Sequence, residues 1–183
     1  MRSHLLPIGL ATSLLFVALP SLAQDKKTGP VEEQETFFLS VDGRITDGTQ
    51  KLTDCEVLAF EDNERIAAVN TGRTGKFSLL LPIGSLYTLE FRREGFVPKR
   101  IVVDTRADVS KALLSDLPLD LMISLLAVDK YNGVDTDVLD YPFAIIKYDK
   151  KADAFLEDTE YTRSMQRTNG ALLLMGARAE KQE

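Results

Sequence analysis

From Thr36 onward, apolar residues recur at every second position, in short runs that Gly, Pro and Asp cut apart. Leu39, Val41, Gly43 and Ile45 alternate with Ser40, Asp42 and Arg44, and Asp47-Gly48 marks a turn. Cys55, Val57 and Ala59 share a second face, and Ile66 to Asn70 is a short third run. After Gly72-Arg73-Thr74-Gly75, Phe77, Leu79 and Leu81 point one way, and Pro82-Ile83-Gly84 ends that run. Tyr87, Leu89 and Phe91 form another face, Gly95 turns the chain, and Ile101 to Val103 follows. Leu119, Leu121, Ile123 and Leu125 then alternate with Asp120, Met122 and Ser124. Successive side chains of a strand take opposite faces, so this period predicts strands with one wet and one buried face. About seven such strands between turn residues predict an all-β, antiparallel sandwich. Asp108 to Ser115 is long enough for one turn of helix.

Beyond Leu126 the pattern changes, and residues 127–183 read as a C-terminal extension. Asp129 to Asp140 is acidic and turn-rich, Phe143 to Tyr148 suits one more strand, and Asp149-Lys150-Lys151 is a turn. From Asp158 the period becomes helical, with Tyr161, Met165, Thr168, Leu172, Met175 and Ala179 on one stripe. Asp158 suits the N-cap, and Glu160 favours the first turn. Asn169-Gly170 is a place for this helix to split. A short helix is marginal alone in water, so the stripe needs an apolar surface. Outward-facing Leu80 and Met122, or a second copy in a homodimer, are expected to supply it.

The N-terminus has a different logic. Residues 1–23 carry Arg2, an apolar stretch from Leu5 to Leu19, Pro20, and the small residues Ser21 and Ala23 at the −3 and −1 positions of a cleavage site. That is the layout of a signal peptide. The apolar stretch is shorter than the ~20 residues of a spanning helix, which favours cleavage over anchoring. No Cys follows Ala23 to be lipidated. Residues 24–35 are polar and without apolar period, a flexible leader to a domain at 36–126. No later segment is apolar for long enough to span a bilayer, so the expected destination is the periplasm or the exterior.

Charge and composition exclude several functions. Against 28 Asp and Glu stand 22 Lys and Arg, a net charge of −6 with no basic run. Such a chain is poorly suited to nucleic acid or anionic lipid, both of which need clustered cations. His4 is the one histidine and lies in the signal peptide, Cys55 is the one cysteine, and there is no Trp. Ser-His-Asp and Cys-His catalysis therefore lack their base, and zinc sites of His and several Cys lack their ligands. Carboxylate-only or lysine-based chemistry stays open.

A series of short motifs appears in order: Gly43-Arg44-Ile45-Thr46-Asp47, Leu52-x-x-Cys55-x-Val57, Gly75-Lys76-Phe77-Ser78-Leu79, Leu81-Pro82-Ile83-Gly84, Tyr87-Thr88-Leu89-Glu90-Phe91 and Gly95-Phe96. The series resembles the carboxypeptidase regulatory-like domain, a transthyretin-like Greek-key sandwich, over Thr36 to Leu126. It departs at Gly72, where relatives often carry an acidic residue. The resemblance implies a binding or spacer module, common in exported proteins of Bacteroidota-type bacteria. A purine-pathway hydrolase shares the transthyretin-like fold but relies on histidines that the mature chain lacks.

No residue is assigned to catalysis, to a cofactor or to a metal. Cys55, in phase with Val57, reads as a buried small hydrophobe. Asp129, Asp135, Asp137 and Asp140 offer the oxygens Ca²⁺ takes, but their spacing does not match the helix-flanked calcium loop, and they read as a solvated loop. Glu61-Asp62-Asn63-Glu64 reads as a hairpin turn. Tyr131, Tyr141, Phe143, Tyr148, Phe155 and Tyr161 either line a groove or pin the extension to the sandwich. The functional expectation is a non-catalytic interaction or scaffolding module of the cell envelope, its partner a protein or glycan. A carbohydrate-binding module and a carboxylate-only enzyme are the alternatives.

Overall fold

The structure, a computed structural model, describes residues 37–106 and 118–181. The expected signal peptide, the leader and the turn of helix at Asp108 to Ser115 lie outside the described residues. Among the described residues nine strands and one α-helix are formed: β1 (Phe38–Thr46), β2 (Glu56–Glu61), β3 (Glu64–Asn70), β4 (Lys76–Pro82), β5 (Leu86–Arg92), β6 (Lys99–Asp104), β7 (Leu119–Ser124), β8 (Ala144–Asp149), β9 (Ala154–Glu157) and α1 (Thr159–Ala179). Short 3-10 turns cover Val128–Tyr131 and Asp137–Asp140.

The strands form a three-stranded sheet in the order β4-β1-β7 and a six-stranded sheet in the order β3-β2-β5-β6-β8-β9. This corrects one expectation. The sheets are mixed rather than antiparallel throughout, because β1 pairs with β7 and β6 with β8 in parallel. The seven strands expected before Leu126 are formed as β1 to β7, and the further strand expected at Phe143 to Tyr148 is β8; β9, which was not expected, joins β8 in extending the larger sheet. Alternation fixes which face a side chain takes, and leaves the choice of neighbouring strand to long-range packing.

The inward positions are the expected ones. Leu39, Val41 and Ile45 of β1 and Phe77, Leu79 and Leu81 of β4 meet Val57, Ala59, Tyr87, Leu89 and Phe91 from the other sheet. The Phe77 and Phe91 rings lie 5.5 Å apart and tilted. Asp62 and Asn63 take positive φ angles of 48° and 67°, which is what a two-residue hairpin between β2 and β3 requires. Two buried threonines tie loops to strands. Thr71 Oγ1 accepts from Cys55 N at 3.0 Å and donates to the Leu52 carbonyl at 3.1 Å. Thr105 Oγ1 accepts from Gly84 N and Ser85 N, both at 3.1 Å.

α1 begins as its sequence predicts: Asp158 Oδ1 accepts from Tyr161 N at 3.1 Å. Asn169-Gly170 does not split it, since the helix runs unbroken from Thr159 to Ala179. Instead Asn169 Oδ1 accepts from the Tyr131 hydroxyl at 2.5 Å. The expected docking surface is wrong. Leu80 and Met122 stay 59% and 70% exposed, and α1 packs on the Val128–Tyr131 turn and on β8. Gly176 explains the choice. It lies against the Lys130 carbonyl, an approach that a residue with a Cβ could not make.

Candidate functional site

The two sheets differ in width, and that difference leaves a cleft. On one side β4 comes against β3. On the other side β7 ends the small sheet, while the large sheet continues through β8 and β9 and α1 lies over part of it. Between β7 and α1 a cleft of about 320 Å³ remains. Its floor is Ile101 of β6 with Ala144 and Ile146 of β8, and its walls carry Asp120 to Ile123 on one side and Glu157, Thr162 and Gln166 on the other.

Lys99 occupies the first inward position of β6, opposite Phe91 of β5 and in phase with Ile101 and Val103. Its Nζ donates to the Ser124 carbonyl and sits 4.3 Å from the centre of the Phe143 ring. Burial pulls its pKa from 10.5 down to about 8. The carbonyl and the ring face work in the opposite direction, since both favour the cation. The ammonium thus joins the end of β7 to the floor, and this engagement keeps it from offering a free amine to a ligand.

Thr162 is 4% exposed and lines the cleft from α1. Its Oγ1 is buried without a hydrogen-bond partner among the described residues. An unpaired buried hydroxyl costs about 1–3 kcal/mol. Asp120 and Glu157 place one carboxylate on each wall. The cleft can therefore hold an apolar group on its floor and polar or cationic groups at its rim.

Of the residues singled out from sequence, Phe143 and Met122 line the cleft, and the others are placed elsewhere. Cys55 is fully buried, and burial pushes its thiol pKa up, away from the reactive thiolate. Asp129, Asp135, Asp137 and Asp140 do not converge: no group of three or more potential metal ligands gathers among the described residues. Asp140 Oδ1 instead accepts from Arg100 at 3.1 Å, while Arg100 also pairs with Glu90 at 2.7 Å. Tyr131, Tyr148, Phe155 and Tyr161 pin elements together, while Tyr141 is exposed. Tyr161 donates to the Pro142 carbonyl at 2.7 Å, and the Tyr148 and Phe155 rings are 5.7 Å apart. A second hollow beside Tyr131, Tyr141 and Phe143 has room for about 30 Å³, enough for a water molecule. Sequence reasoning missed Lys99 and Thr162. Lys99 had a signal, a lysine on the apolar phase of a strand. Thr162 had none, because a helical threonine is as often exposed.

No described helix is long and apolar enough to cross a membrane. Neither a protein-family model nor a curated protein matches the chain. Solved structures with partial likeness include S. CueP, with 16% identity over 49% of this chain and 61% of that one and a TM-score of 0.35. A DUF3823 family protein from Parabacteroides merdae shows 20% identity over 61% of this chain and 50% of that one, with a TM-score of 0.34. Catechol 1,2-dioxygenase from Acinetobacter sp. ADP1, inhibited by bound mercury, shows 12% identity over 61% of this chain and 59% of that one, with a TM-score of 0.38. The chain thus spans about half to three-fifths of the length of each structure it is similar to.

Proposed function

We propose that this chain is a non-catalytic interaction module, exported to a bacterial periplasm or cell surface, that holds a partner in the cleft between β7 and α1. The observation that carries the reading is the cleft itself, whose apolar floor lies between walls that carry polar and acidic side chains. The engagement of Lys99 by Ser124 and Phe143 supports a binding role over amine chemistry. The resemblance of Thr36 to Leu126 to the carboxypeptidase regulatory-like module, with its Greek-key topology, supports a binding or spacer role. A second reading, hydrolysis by carboxylates alone, draws on Asp120 and Glu157 on opposite walls.

The test screens residues 24–183 against immobilised random peptides and against a glycan panel, beside Gln166→Trp, which fills the cleft from an exposed helix position. Binding to one panel that the Trp variant loses is expected. Binding to neither, or binding indifferent to the Trp, would sink the proposal. Cleavage of a panel member that Asp120→Asn and Glu157→Gln both abolish would replace it with the hydrolase.

A further inference from the structure

Among the described residues, no strand pairs with the edge of β7 that faces the cleft. Leu125 N donates to the Thr46 carbonyl at 2.9 Å, and the Leu121 carbonyl lies close against Gly43. The odd-numbered residues of β7 therefore direct their N–H and C=O groups to β1. In a paired strand the alternate residues point the other way, so the backbone groups of Asp120, Met122 and Ser124 face the cleft. Lys99 takes the Ser124 carbonyl. Asp120 and Met122 have no partner for theirs among the described residues.

We propose that this edge binds an extended peptide segment of a partner protein, added as a fourth strand to the small sheet, with apolar and basic side chains in alternation. The proposal rests on the reading of the cleft as a binding site and names its ligand class. Main-chain pairing with Asp120 and Met122 gives affinity, as in other complexes made by strand addition. The faces give the sequence preference. An added strand turns alternate side chains toward the floor of Ile101, Ala144 and Ile146, which selects apolar groups. The intervening side chains lie on the outer face beside Asp120, whose carboxylate selects a cation.

The probe is a capped peptide of alternating valine and lysine, about six residues long, the usual length of a strand. Its controls are the same peptide N-methylated at alternate nitrogens and a valine–glutamate peptide. Met122→Pro is the protein control: it removes an N–H that faces the cleft, where proline is tolerated at an edge. Expected are binding of the valine–lysine peptide, and at least tenfold weaker binding on N-methylation, on glutamate substitution and in Met122→Pro. Amide exchange at Asp120 and Met122, slowed by the peptide in the unmodified protein, supports the same conclusion without any variant. Binding that N-methylation leaves unchanged would overturn strand addition and leave the binding module standing. Glycan binding without peptide binding would do the same. A dimer that Met122→Pro converts to monomer would replace the partner with a second copy of the chain. Failure of every panel would remove the functional reading as well.

Discussion

Two glycines of α1 make a matched experiment on whether the helix is docked. A Cβ added at Gly170 meets nothing within 4 Å. A Cβ added at Gly176 would run into the Lys130 carbonyl, with the Lys130 carbonyl carbon at 3.3 Å and Tyr131 Cα at 3.4 Å. Both sites lie inside the helix, where alanine is better than glycine by about 0.8–1.0 kcal/mol. Gly170→Ala should therefore stabilise by about 1 kcal/mol and raise Tm by about 2–4 °C. At Gly176 the same gain opposes overpacking against backbone that cannot swing aside, a loss of about 1–3 kcal/mol. The net effect should be a loss of up to about 2 kcal/mol, and the two variants should differ by about 1–3 kcal/mol. Thermal unfolding followed by circular dichroism gives the stabilities, and amide exchange over Thr162 to Gly176 reports on a helix that lifts away without global unfolding. If both substitutions raise Tm equally and neither speeds exchange, α1 is not packed on the Lys130 turn.

Four further outcomes are expected. Exported protein should begin at Gln24, and an intact mass that retains Met1 to Ala23 would contradict this. Cys55, fully buried, should resist thiol labelling until denaturant is added; rapid labelling of folded protein would refute that burial. Asp158→Ala should lower stability by about 0.5–2 kcal/mol while Asp158→Asn largely restores the cap, as read from urea melts. Lys99 has a folded pKa lowered to about 8 from 10.5, so the unfolded chain binds more protons between those values and stability should rise with pH across that window; Lys99→Met should lack this rise, and equal pH dependence in the two proteins would refute the burial of the ammonium.

The strands were legible because a half-buried strand writes its geometry in a period of two. Val41, Ile45, Leu79, Leu89 and Phe91 all fall on the buried side as the alternation requires. Strand partners were not legible, because β6 pairs with β8 across the whole of β7, and nothing local in Ala144-Ile145-Ile146 specifies a parallel neighbour. β9 was missed because four residues hold too little alternation to stand out. The helix stripe was right at Met165, which is buried, and wrong at Met175, which is 54% exposed. A stripe chosen by apolarity selects Met175 and passes over Gly176, yet the glycine makes the contact because it lacks a side chain. Thr71 and Thr105 escaped notice for a similar reason: their buried hydroxyls are matched by backbone groups of distant loops.

The width of the cleft follows from the unequal sheets. Neighbouring strands lie about 4.8 Å apart, so from first to last strand the six-stranded sheet spans about 24 Å and the three-stranded sheet about 10 Å. Since β4 comes against β3, the shortfall of about 14 Å falls entirely on the β7 side. A helix with its side chains is about 10 Å across. α1 therefore covers most of the remaining strip and leaves about one strand spacing beside β7. Moving α1 closer would bring Thr162 and Gln166 onto β7 and would break the contact between Gly176 and the Lys130 turn. Moving it outward would uncover Ile146 and Ala144. The turn at Val128–Tyr131 holds the helix between these limits, so the gap beside β7 is a consequence of where Gly176 allows the helix to sit.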